Sequence, residues 1–267
     1  MKEKLDVPFS IQTSVDSRIL EWARETSHEF AKRISYYRCA MLDVENRFNV
    51  LNEEYLLDHG RPPVNSVKTR LKTIPSIQEK VKRKGISFSI AEVEKEIHDI
   101  AGVRVVCSFS EDVYAIADAL LKQDDIELIT QKDYIAVPKP NGYRSLHLIV
   151  AVPVYLSGGK RMTKVEIQLR TIAMDWWASL EHQLRYKKDT DFTEEMAREL
   201  YECAEISANL DARMDTLRKR IMGESAIQNE IGYRWINSLF ISLYSFINLN
   251  KSHIFVLFRY INPCTYI

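Results

Sequence analysis

At 267 residues with 46% hydrophobic content, the chain has length for one large domain or two small ones around a substantial core. Its 37 basic and 37 acidic residues cancel, which excludes a protein-wide polyanion binder but leaves room for a local basic site. The four cysteines Cys39, Cys107, Cys203 and Cys264 are widely spaced with no CxxC, so neither zinc nor a disulfide framework is expected, and a reducing cytoplasm fits. The N-terminal MKEKLDVPFS has no apolar run of signal-peptide type. Neither GxxxxGK nor GxGxxG occurs, so the P-loop and Rossmann routes to nucleotides are absent.

Periodicity predicts a helix over residues 16 to 35, capped by Asp16, with Ile19, Ala23, Phe30 and Ile34 on one side. A second helix is predicted over 37 to 58, with Met41, Val44, Phe48, Leu51 and Tyr55 on one side, stopped by HGRPP. Together they are expected to form a hairpin. A short strand follows through Val67 to Leu71, then a turn at Pro75 and a helix capped by Ser76. GVRVVCSF reads as a buried strand and SEDVYAIADALLKQ as a helix capped by Ser110. IELITQKDYIAV is a strand leading into the turn PKPNGYRSLH, where Asn-Gly permits a sharp reversal. YRSLHLIVAVPVY is the next strand, Gly158-Gly159 turns the chain, and MTKVEIQLRT pairs back. Two long helical stretches, IAMDWWASLEHQLRYKK and TEEMARELYECAEISANLDARMDTLRKRI, complete the regular part. The order predicts an α+β fold: a mixed β-sheet of about five strands with packed helices and helical N- and C-terminal extensions. The expected divisions are a helical hairpin over 1–60, a core over 61–190, a helical region over 191–235 and an apolar tail over 236–267. The tail's longest uncharged run, Ile236 to Asn250, has 15 residues. A membrane span needs roughly 20, so none is expected.

Asp99, just before one buried strand, and Glu166, within another, are candidate oxygen ligands for a hard divalent ion. On spacing alone, the plainer reading is two ordinary acids at strand positions. Between Lys68 and Lys84, seven bases face one acid, Glu79; Arg70 and Lys72 share a strand parity, and Lys80 lies one helical turn beyond Ser76. Such a cluster suits a triphosphate, which Arg grips bidentately and Lys meets as a point charge. It suits a solvated face or an RNA backbone equally. Around the turn, Tyr143 could offer its ring to a nucleobase or close a core, and His147 alternates with Leu146 and Leu148 toward the polar face.

Taken together, RLKTIPSIQEK, HDIAGVR, KDYIAVPKPNGYRSLH, VEIQLRT and DWWASLEHQLRYK resemble the synthetase domain of the RelA/SpoT family, over about residues 40 to 220. The chain looks like a stand-alone small alarmone synthetase without a hydrolase domain. The resemblance implies a nucleotidyltransferase-like synthetase core that moves the β,γ-pyrophosphate of ATP to the ribose 3′-oxygen of GDP or GTP, giving ppGpp or pppGpp and AMP. It implies Mg²⁺ at Asp99, with Glu166 as second acid, either sharing the metal or accepting the 3′-hydroxyl proton. Arg70, Lys72, Lys80 and Arg104 match ATP-binding positions, with Arg70 and Arg104 about the adenine. Lys132, Lys139, Asn141, Tyr143, His147 and Gln168 match acceptor contacts, with Tyr143 stacking on guanine. The resemblance also implies a cytoplasmic homo-oligomer, a tetramer built through terminal helices, with RNA not required. Thr130 departs from the arginine common in long relatives, and the segment after about Gly223 departs from the family's charged C-terminal helices. Two other readings share these residues: a toxin-like relative that pyrophosphorylates the tRNA 3′ end, and an inactive nucleotide- or RNA-binding regulator.

Overall fold

The computed structural model describes the backbone of residues 17–87, 89–185 and 192–248, and the side chains of 29–87, 89–185 and 192–223. The expected Asp16 cap, the Ile19 and Ala23 side chains, Cys264 and the tail beyond residue 248 lie outside the described residues. The chain divides into two units, Met1–Ala212 and Arg213–Ile267. The second is helical over residues 213–248, the C-terminal part of α6 (Glu194–Asn248). All that follows belongs to the first.

Five strands, β1 (Val64–Leu71), β2 (Ala101–Cys107), β3 (Glu127–Asp133), β4 (Leu146–Leu156) and β5 (Gly159–Thr171), form one sheet in the order β1-β2-β5-β4-β3. β2 and β5 run parallel and every other pair is antiparallel, so the sheet is mixed, as expected. Strict alternation sorts its faces. On β5, Val165, Ile167 and Leu169 are fully buried in the core, so Glu166, Gln168 and Arg170 must face the other way. Val103, Val105, Leu148 and Val150 share the apolar core with these.

α1 (Ser17–His59) supplies much of that core and corrects the expected hairpin: it is one uninterrupted helix. The reason is local and tertiary at once. Ser35-Tyr36-Tyr37-Arg38 contains no Gly or Pro to break a helix. Tyr37, Met41, Val44, Phe48 and Leu51 then continue one buried stripe at helical spacing. α2 (Ile74–Lys84) is capped by Thr73, not Ser76: Thr73 Oγ1 accepts from the Ser76 amide at 3.4 Å, and Pro75 falls in the first turn, where its missing N–H costs nothing. α4 (Ser110–Leu121) begins at Ser110, but Phe109 holds the cap position and no side chain caps it. Its first turn instead carries Glu111 and Asp112, whose charges complement the helix dipole. Asp112, 5% exposed, takes a bidentate pair from Arg61 at 2.8 and 2.6 Å. α3 (Ile90–Glu96) was not anticipated, although Ser89 and Glu92 spell its cap: the Ser89 hydroxyl accepts from the Glu92 amide at 3.2 Å.

The segment PKPNGYRSLH is not a tight strand-to-strand reversal. Its first eight residues lie in a loop over residues 134–145 that folds on itself, and Leu146 and His147 open β4: the Gly142 amide donates to Lys139 O at 2.8 Å, and the Lys139 amide to Tyr143 O at 3.1 Å. Asn141 Oδ1 accepts from the Tyr143 amide at 3.3 Å. Gly142 has φ 86°, and a Cβ there would sit 2.5 Å from the Ala204 Cβ of α6. Gly142→Ala should therefore destabilise the fold by about 1–3 kcal/mol, through left-handed strain and a clash with a buried neighbour. Urea denaturation measures this, and wild-type stability would contradict the account. Among the described residues, no helix is long and apolar enough to cross a membrane.

Candidate active site

The polar face of the sheet aligns the sequence candidates in two rungs that cross all five strands. In one rung Lys68, Arg104, Gln168, His147 and Lys132 pair in succession from β1 to β3. In the other, Arg70, Gly102, Glu166, Ile149 and Thr130 do so. Period-two alternation along each strand, in this register, gathers residues a hundred positions apart. Gly102 matters here. With no side chain between Arg70 and Glu166, it leaves a gap in the rung, and it lines the cavity that opens there.

That first cavity, about 340 Å³, is bounded by Lys68, Arg70, Lys72, Arg104, Gln168 and the two carboxylates Asp99 and Glu166. A second, about 470 Å³, is bounded by Lys80, Lys132, Tyr134, Lys139, His147 and the same two carboxylates. Both cavities are rich in cations, and Asp99 and Glu166 belong to both. The carboxylates thus mark the junction of two anion-friendly spaces.

Asp99 sits between two lysines. Lys72 Nζ lies 2.5 Å and Lys80 Nζ 2.7 Å from its Oδ2. Burial works against its ionisation, but the bonds from Lys72 and Lys80 outweigh burial and hold the carboxyl below its ordinary value. Its other oxygen, Oδ1, is buried with no hydrogen-bond partner. An orphaned anionic oxygen on a residue that lines both cavities is the kind of donor a hard divalent ion takes. Among the described residues no cluster of three or more metal-ligating side chains exists. Two carboxylates completed by substrate oxygens and water therefore make up the available donor set, and this suits Mg²⁺, which seldom uses an all-protein cage.

Glu166 is likewise opposed by burial. Its contact with His147 outweighs this, and Gln168 Nε2 adds a bond at 3.2 Å, so its pKa also lies below the ordinary value despite the nearby Asp99 charge. His147 Nδ1 stands 3.6 Å from Glu166 Oε1, and its Nε2 is 2.8 Å from Tyr143 Oη. Arg170 donates to that same phenol oxygen at 2.6 Å. Arg170 and His147 thus both bond the Tyr143 hydroxyl, and the other ring nitrogen of His147 stands toward Glu166.

Lys80 and Gln168 each line one cavity, the second and the first respectively, and reach a carboxylate that belongs to both. Asn141 lines neither; its Nδ2 donates to Glu181 Oε1 at 3.3 Å. Tyr143 also lines neither. Its ring packs beside Trp177, Ala178 and Ala204, with Lys139 Nζ 4.6 Å and the Arg170 guanidinium 5.1 Å from its centre. Tyr134, unnoticed in the sequence, lines the second cavity under the same lysine, 4.6 Å away. Thr130, the family departure, lines that cavity too. Arg170 and Asp175 were also missed. The signal for Arg170 was its parity with Glu166 and Gln168 on β5; Asp175, in the first turn of α5 (Ile172–Arg185), carried none.

A mixed sheet whose polar face joins two cationic cavities at a pair of carboxylates defines a site for phosphoryl-group transfer between two nucleotides. The family described as the region found in RelA / SpoT proteins matches residues 69–191. GTP pyrophosphokinase YwaC of Bacillus subtilis is 42% identical over 193 residues, spanning 72% of this chain and 92% of that protein. The crystal structure of small alarmone synthetase 2 from Bacillus subtilis superposes with TM-score 0.65 at 41% identity, covering 72% of this chain and 99% of that one. Small alarmone synthetase 1 from the same organism, bound to its product pppGpp, gives TM-score 0.66 at 33% identity over 72% of this chain and 98% of that one. The chain belongs to the RelA/SpoT family, as a small alarmone synthetase.

Proposed function

We propose that the protein transfers pyrophosphate from ATP to the ribose 3′-hydroxyl of GDP or GTP, making ppGpp or pppGpp and AMP. The observation that carries this is the shared pair Asp99 and Glu166 at the junction of two cation-lined cavities. The 3′-oxygen attacks the β-phosphorus of ATP, the bond from that phosphorus to the α,β-bridging oxygen breaks, AMP leaves, and the hydroxyl proton passes to a base. Arg70, Lys72 and Arg104 suit the donor triphosphate and adenine, and Lys80 bridges to the junction. Lys132, Lys139, His147 and Tyr134 suit the acceptor, with Asn141 shaping the loop. Gln168 orients Glu166. A Mg²⁺ held by Asp99, with Glu166, would neutralise charge developing on the transferred phosphates. The remaining work is positioning by this chain's own cations. The test is incubation with labelled ATP, Mg²⁺ and, separately, GDP, GTP and tRNA. Labelled guanosine tetra- or pentaphosphate is expected, and label appearing only on tRNA would overturn the proposal.

Tyr143 is proposed as the guanine platform, which requires Lys139 Nζ to leave one ring face. Tyr143→Ala should raise the KM for the guanosine nucleotide by about one to two decades, the usual worth of base stacking, with a smaller change for ATP. Steady-state kinetics in each substrate decides; a change confined to ATP would reverse the two sites. Lys82 and Arg83 are exposed at the end of α2 and line neither cavity. Replacing both with alanine should leave mononucleotide turnover within about twofold, because solvated charges beyond about 10 Å are screened at cellular salt. A tRNA acceptor would instead show weakened binding with a flatter salt dependence, read by filter binding across a salt series.

The free thiols of Cys39, Cys107 and Cys203 support a cytoplasmic setting. A homo-oligomer, a tetramer by resemblance, is supported by the exposed stripe Ile172, Trp176, Leu180 and Leu184 on α5. Sedimentation reads the state; a monomer at micromolar concentration would refute it.

A further inference from the structure

Arg170 and Asp175 take no part in the transfer as proposed, yet they are among the most enclosed charges near the site. Arg170 is 4% exposed. A buried guanidinium is costly unless its partners are well placed, so its contacts are informative. Its Nη1 donates to Asp175 Oδ1 at 3.2 Å, and its Nη2 donates to Tyr143 Oη at 2.6 Å and to Gln168 Oε1 at 2.8 Å. The same Asp175 Oδ1 meets Arg104 Nη1 at 3.3 Å, and Asp175 Oδ2 lies 3.9 Å from Lys68 Nζ. Arg104 and Lys68 line the first cavity. Tyr143 Oη continues to His147 Nε2, and His147 and Glu166 line the second. One polar line from Arg104 through Asp175, Arg170, Tyr143 and His147 therefore joins the two cavities.

We propose that Asp175 and Arg170 are positioning residues that couple occupation of the donor cavity to the geometry of the acceptor side, acting through Arg104 at one end and Tyr143 at the other. The proposal rests on the assignment of the two cavities to donor and acceptor. Asp175 Oδ1 is shared between two guanidinium groups. A donor base that recruits Arg104 leaves Asp175 Oδ1 to Arg170 alone. Arg170 is then held more firmly, and with it the Tyr143 hydroxyl, the His147 ring and the orientation of Glu166. Binding at the first cavity should accordingly tighten binding at the second, and by linkage the reverse.

The experiment is calorimetry of GDP binding, with and without a saturating non-hydrolysable ATP analogue and Mg²⁺. It uses the wild type, Asp175→Asn, Arg170→Lys, Tyr143→Phe and the Arg170→Lys/Tyr143→Phe double variant, each with a wild-type melting profile. In the wild type the analogue should tighten GDP by at least about fivefold. Asp175→Asn should remove that gain. Tyr143→Phe keeps the ring and loses only the hydroxyl; it should weaken GDP about tenfold, the worth of a hydrogen bond from a charged donor, and the double variant should be no weaker than Arg170→Lys alone. A merely structural role would move the melting profile without producing this non-additivity. Where Asp175→Asn fails to fold, loss of the gain in Tyr143→Phe serves instead. Additive losses, no gain in the wild type, or a gain that survives in the variants would overturn the linkage and leave the proposed function standing. A wild type that binds no guanosine nucleotide would overturn the proposed function and this inference with it.

Discussion

Asp99→Asn should cut turnover by about 10²–10³-fold while leaving a folded protein, measured as labelled alarmone formed per minute at saturating ATP and GDP. The carboxylate is flanked at 2.5 and 2.7 Å by Lys72 and Lys80, and its Oδ1 is buried and unpartnered. An amide keeps the shape but supplies no anionic oxygen for Mg²⁺ and leaves two lysines without their shared counter-charge. Wild-type synthesis by a folded variant would remove Asp99 from the mechanism. The same cluster sets a pH dependence of stability. The folded pKa of Asp99 lies below its ordinary 3.8, so the folded state favours the ionised form. The stabilisation is complete above about 3.8 and is lost as pH falls through the lower folded value. The difference in urea stability between wild type and Asp99→Asn should therefore be level near neutrality and shrink in acid. A difference independent of pH down to full acid unfolding would contradict the pairing.

Glu166→Gln should be of comparable severity, about 10²–10⁴-fold in kcat if the carboxylate takes the 3′-hydroxyl proton. Burial opposes its ionisation, but the His147 and Gln168 contacts outweigh burial and hold its pKa below the ordinary 4.5. It is therefore ionised at neutral pH and ready to accept a proton or a metal. Glutamine can still receive the Gln168 amide but offers neither service. Titrating Mg²⁺ separates the two roles. Recovery at high metal marks a ligand, whereas a kcat deficit that saturating metal leaves intact marks a proton acceptor. Unchanged kcat in the Gln variant would remove both.

The line through Asp175 and Arg170 bears on the order in which such a site is assembled. If the acceptor side is firm only when the donor side is filled, a guanosine nucleotide that binds first meets an unprepared Glu166, and the site is completed by the binding energy of the donor.

Local pattern determined a great deal here. The β-branched runs GVRVVC and HLIVAVPV, the alternation of KVEIQLRT and the Gly158-Gly159 turn dictate strands whose apolar halves must be buried, and the five-stranded mixed sheet follows from burying them together. Alternation within each strand also suffices to put Arg70, His147, Glu166 and Gln168 on polar faces, and the motif resemblance named the chemistry. Tertiary packing decided what periodicity could not. Whether residues 35 to 38 turn or continue depends on a core waiting for Tyr37 and Met41, so the expected hairpin became one helix. Whether PKPNGYRSLH closes a tight turn depends on Ala204 lying against Gly142, which holds the loop folded on itself. Register, invisible to any single strand, joined Lys68, Arg104, Gln168, His147 and Lys132 into one rung. Asp175 was illegible for the same reason: an acid in a helix's first turn is commonplace, and only the return of that helix to the sheet brings it between Arg104 and Arg170. Side-chain period is a property of each element, whereas the partners of a charge are set by which elements meet.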